Sequence, residues 1–233
     1  SPKILALIPA RGGSKGIKNK NIVRVLDKPL IYYTIREAKK VALFSDIMVS
    51  TDSKKIKKIC ENLGCEVPFL RSQDLATDNS KTIDAVREAL VFLSSQFGKT
   101  YDAICLLQPT SPLRTSEDIV SSIELFFSKE CDSVISLCKV DEPHPHKMKV
   151  IEKGNVFPLI PDTDSSLPRQ ELPETFFLNG AIYLSHVSTL SKFGNFFGET
   201  TIPYIMPPDR SVNIDSESDL KLAEYYLSKR INA

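Results

Sequence analysis

A chain of 233 residues with 42% hydrophobic and 25% charged content is long enough to bury the core of one α/β domain. Its 30 basic residues stand against 29 acidic ones, so the net charge of +1 excludes a general nucleic-acid binder and makes any basic patch local, aimed at a small anion. No apolar stretch approaches the roughly 18 residues that span a bilayer, and the five cysteines form no C-x-x-C pair, so structural thiols and a cytoplasmic location are expected.

Residues 3–8 read as a buried strand that runs into Arg11-Gly12-Gly13-Ser14-Lys15-Gly16. The apolar run 4–10 is not preceded by the basic segment of a signal peptide, so a first strand is the expectation. Glycine backbones let a ligand come close, and successive N–H groups in such a turn form a concave anion site. Arg11, Lys15, Lys18, Lys20 and Arg24 fall within fourteen positions of one another. Lysines in a run usually form a solvated turn; glycines directly after a buried strand turn this run toward phosphate. The spacing is neither the dinucleotide fingerprint nor the ATPase loop.

A helix is expected over 29–43, with Ile31, Ile35, Ala38 and Ala42 on one face, then a strand over 46–51 ending in Thr51-Asp52-Ser53. The next helix, 54–63, stops at Gly64, and 66–69 reads as a short third strand. Residues 82–97 are amphipathic through Ile83, Val86, Leu90 and Leu93; Asp78, Ser80 or Thr82 can cap this helix. A continuous apolar strand covers 103–107, Ser116 can cap a helix running toward Phe127, and 133–137 is another strand. Strands alternating with crossover helices predict a mainly parallel sheet with helices on both faces.

Regularity breaks at Glu142-Pro143-His144-Pro145-His146. A hairpin is expected from 148–151 and 155–159 across Lys153-Gly154, then a proline- and acid-rich connector over 161–173. Strands at 181–184 and 204–206 lead to a last helix near Ser216, with Asp219 as capping-box partner. Residues 1–233 thus form one domain, with 139–178 as an excursion of the kind that meets another chain. His144 and His146 have no third ligand nearby, which argues against zinc.

Five motifs occur in order: the glycine loop 11–16 with its extension to Asn21, Leu106-Leu-Gln-Pro-Thr-Ser-Pro-Leu-Arg114, Pro168-Arg-Gln-Glu-Leu-Pro173, Asn179-Gly-Ala-Ile-Tyr183, and Ser211-Val-Asn-Ile-Asp-Ser-Glu-Ser-Asp219. Together they cover nearly the whole chain, which resembles the acylneuraminate cytidylyltransferases, the CMP-sialic acid synthetases. The resemblance implies a three-layer, Rossmann-like nucleotidyltransferase core with a mainly parallel mixed sheet and a small dimerisation lobe. It also implies transfer of CMP from CTP to a nonulosonic acid such as N-acetylneuraminic acid, release of pyrophosphate, a requirement for Mg²⁺, and a homodimer that exchanges arms.

Residue by residue, the resemblance assigns Arg11 and Lys20 to the leaving pyrophosphate, where fixed cations act most as charge grows. Ala10, Gly13, Ser14 and Asn21 match nucleotide contacts. Arg71 lies where cytosine and ribose are gripped, with Ser80 and Thr82 left undivided in that role. Gln108 emerges at a strand's carboxyl end, where open α/β sheets bind ligands, and an amide there can hold a sugar hydroxyl or carboxylate. Arg114 reads as a structural brace of the loop after Pro112. The family's metal pattern is Asp-x-Asp; this chain has Asn213-Ile214-Asp215, which leaves Asp215 as the principal ligand and Asn213 as a neutral one. Arg169 matches the carboxylate-binding arginine, and Lys147 joins it as a residue that reaches across from the partner. Asn179 and Tyr183 match sugar contacts, and Phe196-Phe197 is either core or the wall of an acyl pocket. The same chemistry on legionaminic, pseudaminic or 3-deoxy-octulosonic acid is the alternative, and a non-catalytic nucleotide-sugar-binding protein is another.

Overall fold

The computed structural model describes residues 2–14, 16–76 and 81–231. Its centre is a six-stranded sheet built from β1 (Ile4–Pro9), β4 (Asp46–Ser50), β5 (Ala103–Leu106), β6 (Ser133–Lys139), β9 (Phe176–His186) and β10 (Thr201–Ile205). The strand order is β10-β6-β9-β5-β1-β4. Five strands run parallel to one another; β9 alone is antiparallel to its neighbours β5 and β6. The carboxyl ends of the five therefore share one edge with the start of β9, while the end of β9 lies at the opposite edge.

Helices cover both faces. The residues of β1 alternate between them: Ile4, Ala6 and Ile8 pack in one cluster with Ile31 and Ile35 of α1 (Leu30–Lys39), Ile56 of α2 (Lys54–Asn62) and Phe126 of α4 (Ser116–Ser128). Leu5 and Leu7 face the other way, onto Val86 and Leu93 of α3 (Thr82–Phe97) and Leu190 of α5 (Val187–Phe193). This period of two is what a strand buried on both sides requires. A third cluster joins Val25 of β2 (Arg24–Val25) and Tyr33 to Ala223 and Leu227 of α6 (Glu217–Ile231); β2 pairs with β3 (Lys28–Pro29) in a short ribbon.

Several expectations shift locally. The expected third strand, 66–69, is reduced to the isolated bridge Met48↔Glu66, with a second, Thr51↔Leu70, just beyond it, since Pro68 removes a ladder donor. The helix at 116 is capped by Thr115, whose reciprocal box with Asp118 displaces Ser116 into the first turn. Lys81 occupies the N-cap of α3 without a side-chain bond, so Thr82 is inside the helix; Asp78 and Ser80 lie outside the described residues. Ser216 and Asp219 bond reciprocally, Ser216 N to Asp219 Oδ2 at 2.8 Å and Asp219 N to Ser216 Oγ at 3.3 Å.

Arg114 braces the framework. It is 1% exposed, and its guanidinium donates to the carbonyls of Gln108, Ser111 and Ala181 and to Thr34 Oγ1. Burial pulls its pKa down to about 10, so it stays charged at neutral pH. The chain leaves the sheet after Lys139 and re-enters it at Phe176, the register partner of Lys139. Between them β7 (Lys149–Glu152) and β8 (Asn155–Pro158) form a separate hairpin. Among the described residues, no helix is long and apolar enough to cross a membrane.

Candidate active site

The glycine loop leaves β1 at the carboxyl edge and is pinned from several sides. Ala10 is buried and its N–H donates to the Ser50 carbonyl at 2.8 Å. Gly12 N donates to Asp52 Oδ1 at 2.7 Å, and a Cβ on Gly12 would lie 3.0 Å from that of Ser53. Ser14 Oγ donates to the Ile17 carbonyl and accepts from Lys20 N at 3.3 Å. Asn21 Nδ2 donates to the Arg11 carbonyl at 3.0 Å. Ser14 and Asn21 thus hold the loop's shape, whereas Gly13 has nothing within 4 Å of its missing Cβ and opens onto a cleft. Gly16 is the reverse case: a Cβ there would sit 2.7 Å from the Asp215 carbonyl oxygen.

The cleft, about 540 Å³, brings together Arg11, Gly13, Ser14, Lys20, Asn21, Arg71, Thr82, Gln108, Asn213 and Asp215. Gly16 of the glycine loop also lines it, as do Lys81 and Thr110, to which the sequence had assigned no individual role. Lys81 is a fourth lining cation beside Arg11, Lys20 and Arg71; its place before a capless helix carried no local signal. Ile214 N donates to the Thr110 carbonyl at 2.8 Å, which ties the Asn213–Asp215 segment to the loop after β5. Gln108 therefore faces that segment across the carboxyl ends of β1 and β5.

Arg71 is held by Ser50, through Nε to Oγ at 3.1 Å and Nη2 to the carbonyl at 2.8 Å. Burial lowers its pKa, while nearby Asp52 and Glu88 favour its charge. Lys20 Nζ lies 2.8 Å from Asp215 Oδ1, and Asn213 Nδ2 donates to Asp215 Oδ2 at 3.2 Å. Asp215 is the one carboxylate among the described lining residues. Mg²⁺ takes one or two carboxylates and completes its shell with phosphate oxygens and water. An exposed carboxylate facing a basic loop fits that donor set, and no group of three or more His, Cys, Asp or Glu among the described residues could hold a metal by itself. Asn213 turns its N–H, not its oxygen, to Asp215, so the fit rests on Asp215.

Other expected residues lie elsewhere. Asn179 is 0% exposed: Oδ1 accepts from Ser136 Oγ at 2.6 Å and Ala181 N at 3.1 Å, and Nδ2 donates to Ser211 Oγ at 3.0 Å. It fastens the bulge where β9 slips register against β6, and its amide has no face left for a sugar. Tyr183 packs on Phe196 within the core cluster over α3, ring centroids 5.7 Å apart. Phe196 is buried there, and Phe197, although exposed, follows α5 at the opposite edge of the sheet from the cleft. Neither phenylalanine lines the cleft, and Tyr183, on which Phe196 packs, is the register partner of Leu106, two residues before Gln108. Lys147 sits in a single turn, Pro145–Lys147, and Arg169 pairs with Asp141 beside a smaller cavity lined by His144 and Lys139. Neither lines the cleft of its own chain.

A parallel-sheet α/β core with a basic glycine loop at the carboxyl edge defines a nucleotide-binding fold of the nucleotidyltransferase type. Residues 5–149 match the cytidylyltransferase family, and the chain belongs to that family. It is 33% identical over 228 residues to the post-translational flagellin modification protein B of Campylobacter coli, covering 98% of this chain and 96% of that one. The CMP-N,N'-diacetyllegionaminic acid synthase of Legionella pneumophila is 35% identical, with 95% of each chain covered. The N-acylneuraminate cytidylyltransferase of Escherichia coli O18:K1:H7 is 33% identical over 95% of this chain, which spans 51% of the length of that relative. Among solved structures, a CMP:2-keto-3-deoxy-manno-octonic acid synthetase complexed with CTP superposes with a TM-score of 0.73 at 16% identity, covering 98% of this chain and 99% of that one. That likeness concerns the Rossmann-like fold.

Proposed function

We propose that this enzyme transfers CMP from CTP to the anomeric 2-hydroxyl of a nonulosonic acid. The hydroxyl oxygen bonds to the α-phosphorus and gives its proton to solvent, the bond from that phosphorus to the β-phosphate oxygen breaks, and pyrophosphate leaves. The observation that carries this reading is the cleft itself, with Arg11, Lys20, Arg71 and Lys81 around one carboxylate and Gln108. Four cations suit a triphosphate, and Arg11 and Lys20 meet the charge that grows on the leaving group. Arg71, immobilised by Ser50, presents its remaining edge to the base. Gln108 orients the sugar acid without adding charge beside the phosphates. Mg²⁺, held through Asp215, supplies Lewis-acid polarisation of the phosphate oxygens when bound.

The names of the relatives divide among sialic, legionaminic and pseudaminic acids, so the sugar is one of this class of nine-carbon 2-keto acids. Pyrophosphate release with CTP and each of the three acids tests the reading. Release with at least one acid, and none without acid, is the expected result; no release with any of them defeats it.

The functional unit in this proposal is a homodimer. Arg169 and Lys147 stand outside their own cleft, and the excursion exposes Ile151, Val156 and Phe157, with Phe176, Phe177 and Leu178 at its re-entry. Apolar side chains concentrated on a projecting hairpin suit burial against a second copy.

A further inference from the structure

Asn213 stands between the carboxylate and the sugar-side amide of the cleft. In this structure its Nδ2 donates to Asp215 Oδ2 at 3.2 Å, so the amide oxygen faces away from the carboxylate. Its Oδ1 is thereby turned inward, where it is buried and has no hydrogen-bond donor. Gly180, at φ +72°, shows where that oxygen points: a Cβ built on it would lie 3.6 Å from Asn213 Oδ1 and 3.2 Å from Gln108 Oε1. The two amide oxygens thus converge on the same face of β9. The third group at that point, Ser111 Oγ, already donates to the Asn179 carbonyl at 2.9 Å. Buried carbonyl oxygens are nearly always satisfied, so the group missing from this corner is a donor.

A second aspartate at this position would bring two carboxylates together and demand a cation. Asparagine does something different. It donates one N–H to Asp215 and offers a neutral acceptor on the other side. We propose that Asn213 is a specificity-determining residue for the acceptor sugar, its Oδ1 accepting a hydrogen bond from a hydroxyl or acylamino N–H of the sugar acid beside Gln108, and that it is not a ligand of the metal. This rests on the reading of the enzyme as a CMP transferase to a sugar acid. A site built to bond a donor rejects the analogue that lacks it far more strongly than an apolar pocket rejects a methylene.

The test compares the wild-type enzyme with Asn213→Ala, using sugar-acid analogues that each lack one hydroxyl or the acylamino group, and Mn²⁺ binding to the enzyme–CTP complex by electron paramagnetic resonance. Asn213→Ala is expected to raise the sugar-acid KM at least tenfold, to leave the CTP KM and the Mn²⁺ affinity within about twofold, and to lose discrimination against one analogue only. Weakened Mn²⁺ binding with an unchanged sugar KM would make Asn213 a metal ligand and overturn the proposal, as would no change in either. Should the variant fail to fold, the analogues on the wild-type enzyme still decide: a panel in which no single donor matters tenfold overturns it. A wild-type enzyme inactive with every acid defeats the underlying reading instead, so the two failures are distinct.

Discussion

Lys20 Nζ and Asp215 Oδ1 meet at 2.8 Å although 195 residues separate them in the chain. The cation proposed for the leaving group and the carboxylate proposed for the metal therefore neutralise each other across the mouth of the cleft. Lys20 is 16% exposed at its side chain and Asp215 71%, so the pair is wet on one side and is worth little to stability, about 0–1 kcal/mol. Its importance is in exchange. In the proposed reaction Lys20 would exchange the carboxylate for a phosphate of CTP, and Asp215 would be freed to hold the divalent ion.

Lys20→Ala is accordingly expected to keep the fold and its thermal midpoint and to lose about 10²–10³ in kcat, the range for removing one preorganised group that meets transition-state charge. The CTP KM should change far less. Steady-state kinetics at saturating sugar acid check this; a loss confined to KM would mean that Lys20 contributes uniform binding.

Asp215→Asn should nearly abolish turnover and weaken Mn²⁺ binding to the CTP complex, since no second carboxylate stands among the described lining residues. Metal titration of the variant is the measurement. Full activity would move the metal to another residue.

Two glycines of one loop should behave in opposite ways. Gly13→Ala meets nothing within 4 Å, so the protein should fold normally and lose nucleotide affinity, because the new methyl projects into the cleft. Gly16→Ala would press a methyl 2.7 Å from the Asp215 carbonyl oxygen, so it should lower the thermal midpoint and displace Asp215 as well. Thermal melts with and without CTP separate the two cases: ligand-induced stabilisation falls in the first, and the unliganded midpoint falls in the second.

The loop, Gln108 and Asp215 were legible because their signals are local: a buried strand that ends in glycines and cations, an amide just past a strand, an acid before a capped helix. Asn179 was not, because a motif names a residue without saying which way it turns. Its amide faces inward through a bond to Ser136, 43 positions away. For Phe196 the sequence left core and pocket wall both open, and the structure buries it in the cluster over α3. An apolar strand pattern reads the same in both directions, and only the pairing of β9 with β5 and β6 shows that it runs backward. The contact between Gly16 and Asp215 is likewise non-local, and nothing at either position announces it.

The thiols give a pH prediction whose sign can be worked out. Burial pushes Cys60 up to about 12, Cys65 up to about 11 and Cys105 up to about 12, from an ordinary 9.0. The native protein keeps these protons while the unfolded chain releases them from pH 9 upward. Stability is therefore complete below pH 9 and falls as pH rises toward 11. Urea midpoints at pH 7.5 and pH 10 should show the decline, and replacing Cys105 by Ala should lessen its slope. In the native state a thiol reagent should label Cys131 first, since it alone of the five is not fully buried.

The proposed exchange of arms between two copies makes the last prediction. Arg169 pairs with Asp141 and lines a cavity apart from the cleft of its own chain. If it reaches a sugar carboxylate in a second copy, a guanidinium fork facing a carboxylate gives it a bidentate grip. Arg169→Ala should then raise the sugar-acid KM at least tenfold and leave the CTP KM nearly unchanged. Mixed dimers of Arg169→Ala with Lys20→Ala hold one cleft whose loop is intact and whose incoming arm carries Arg169. Purified mixed dimers, assayed with sugar acid well below the KM of Arg169→Ala, should recover activity that neither variant shows alone, up to about half that of the wild type. Heterodimers verified by mass spectrometry that remain inactive would place Arg169 at the site of its own chain, and the cross-subunit arrangement would fall.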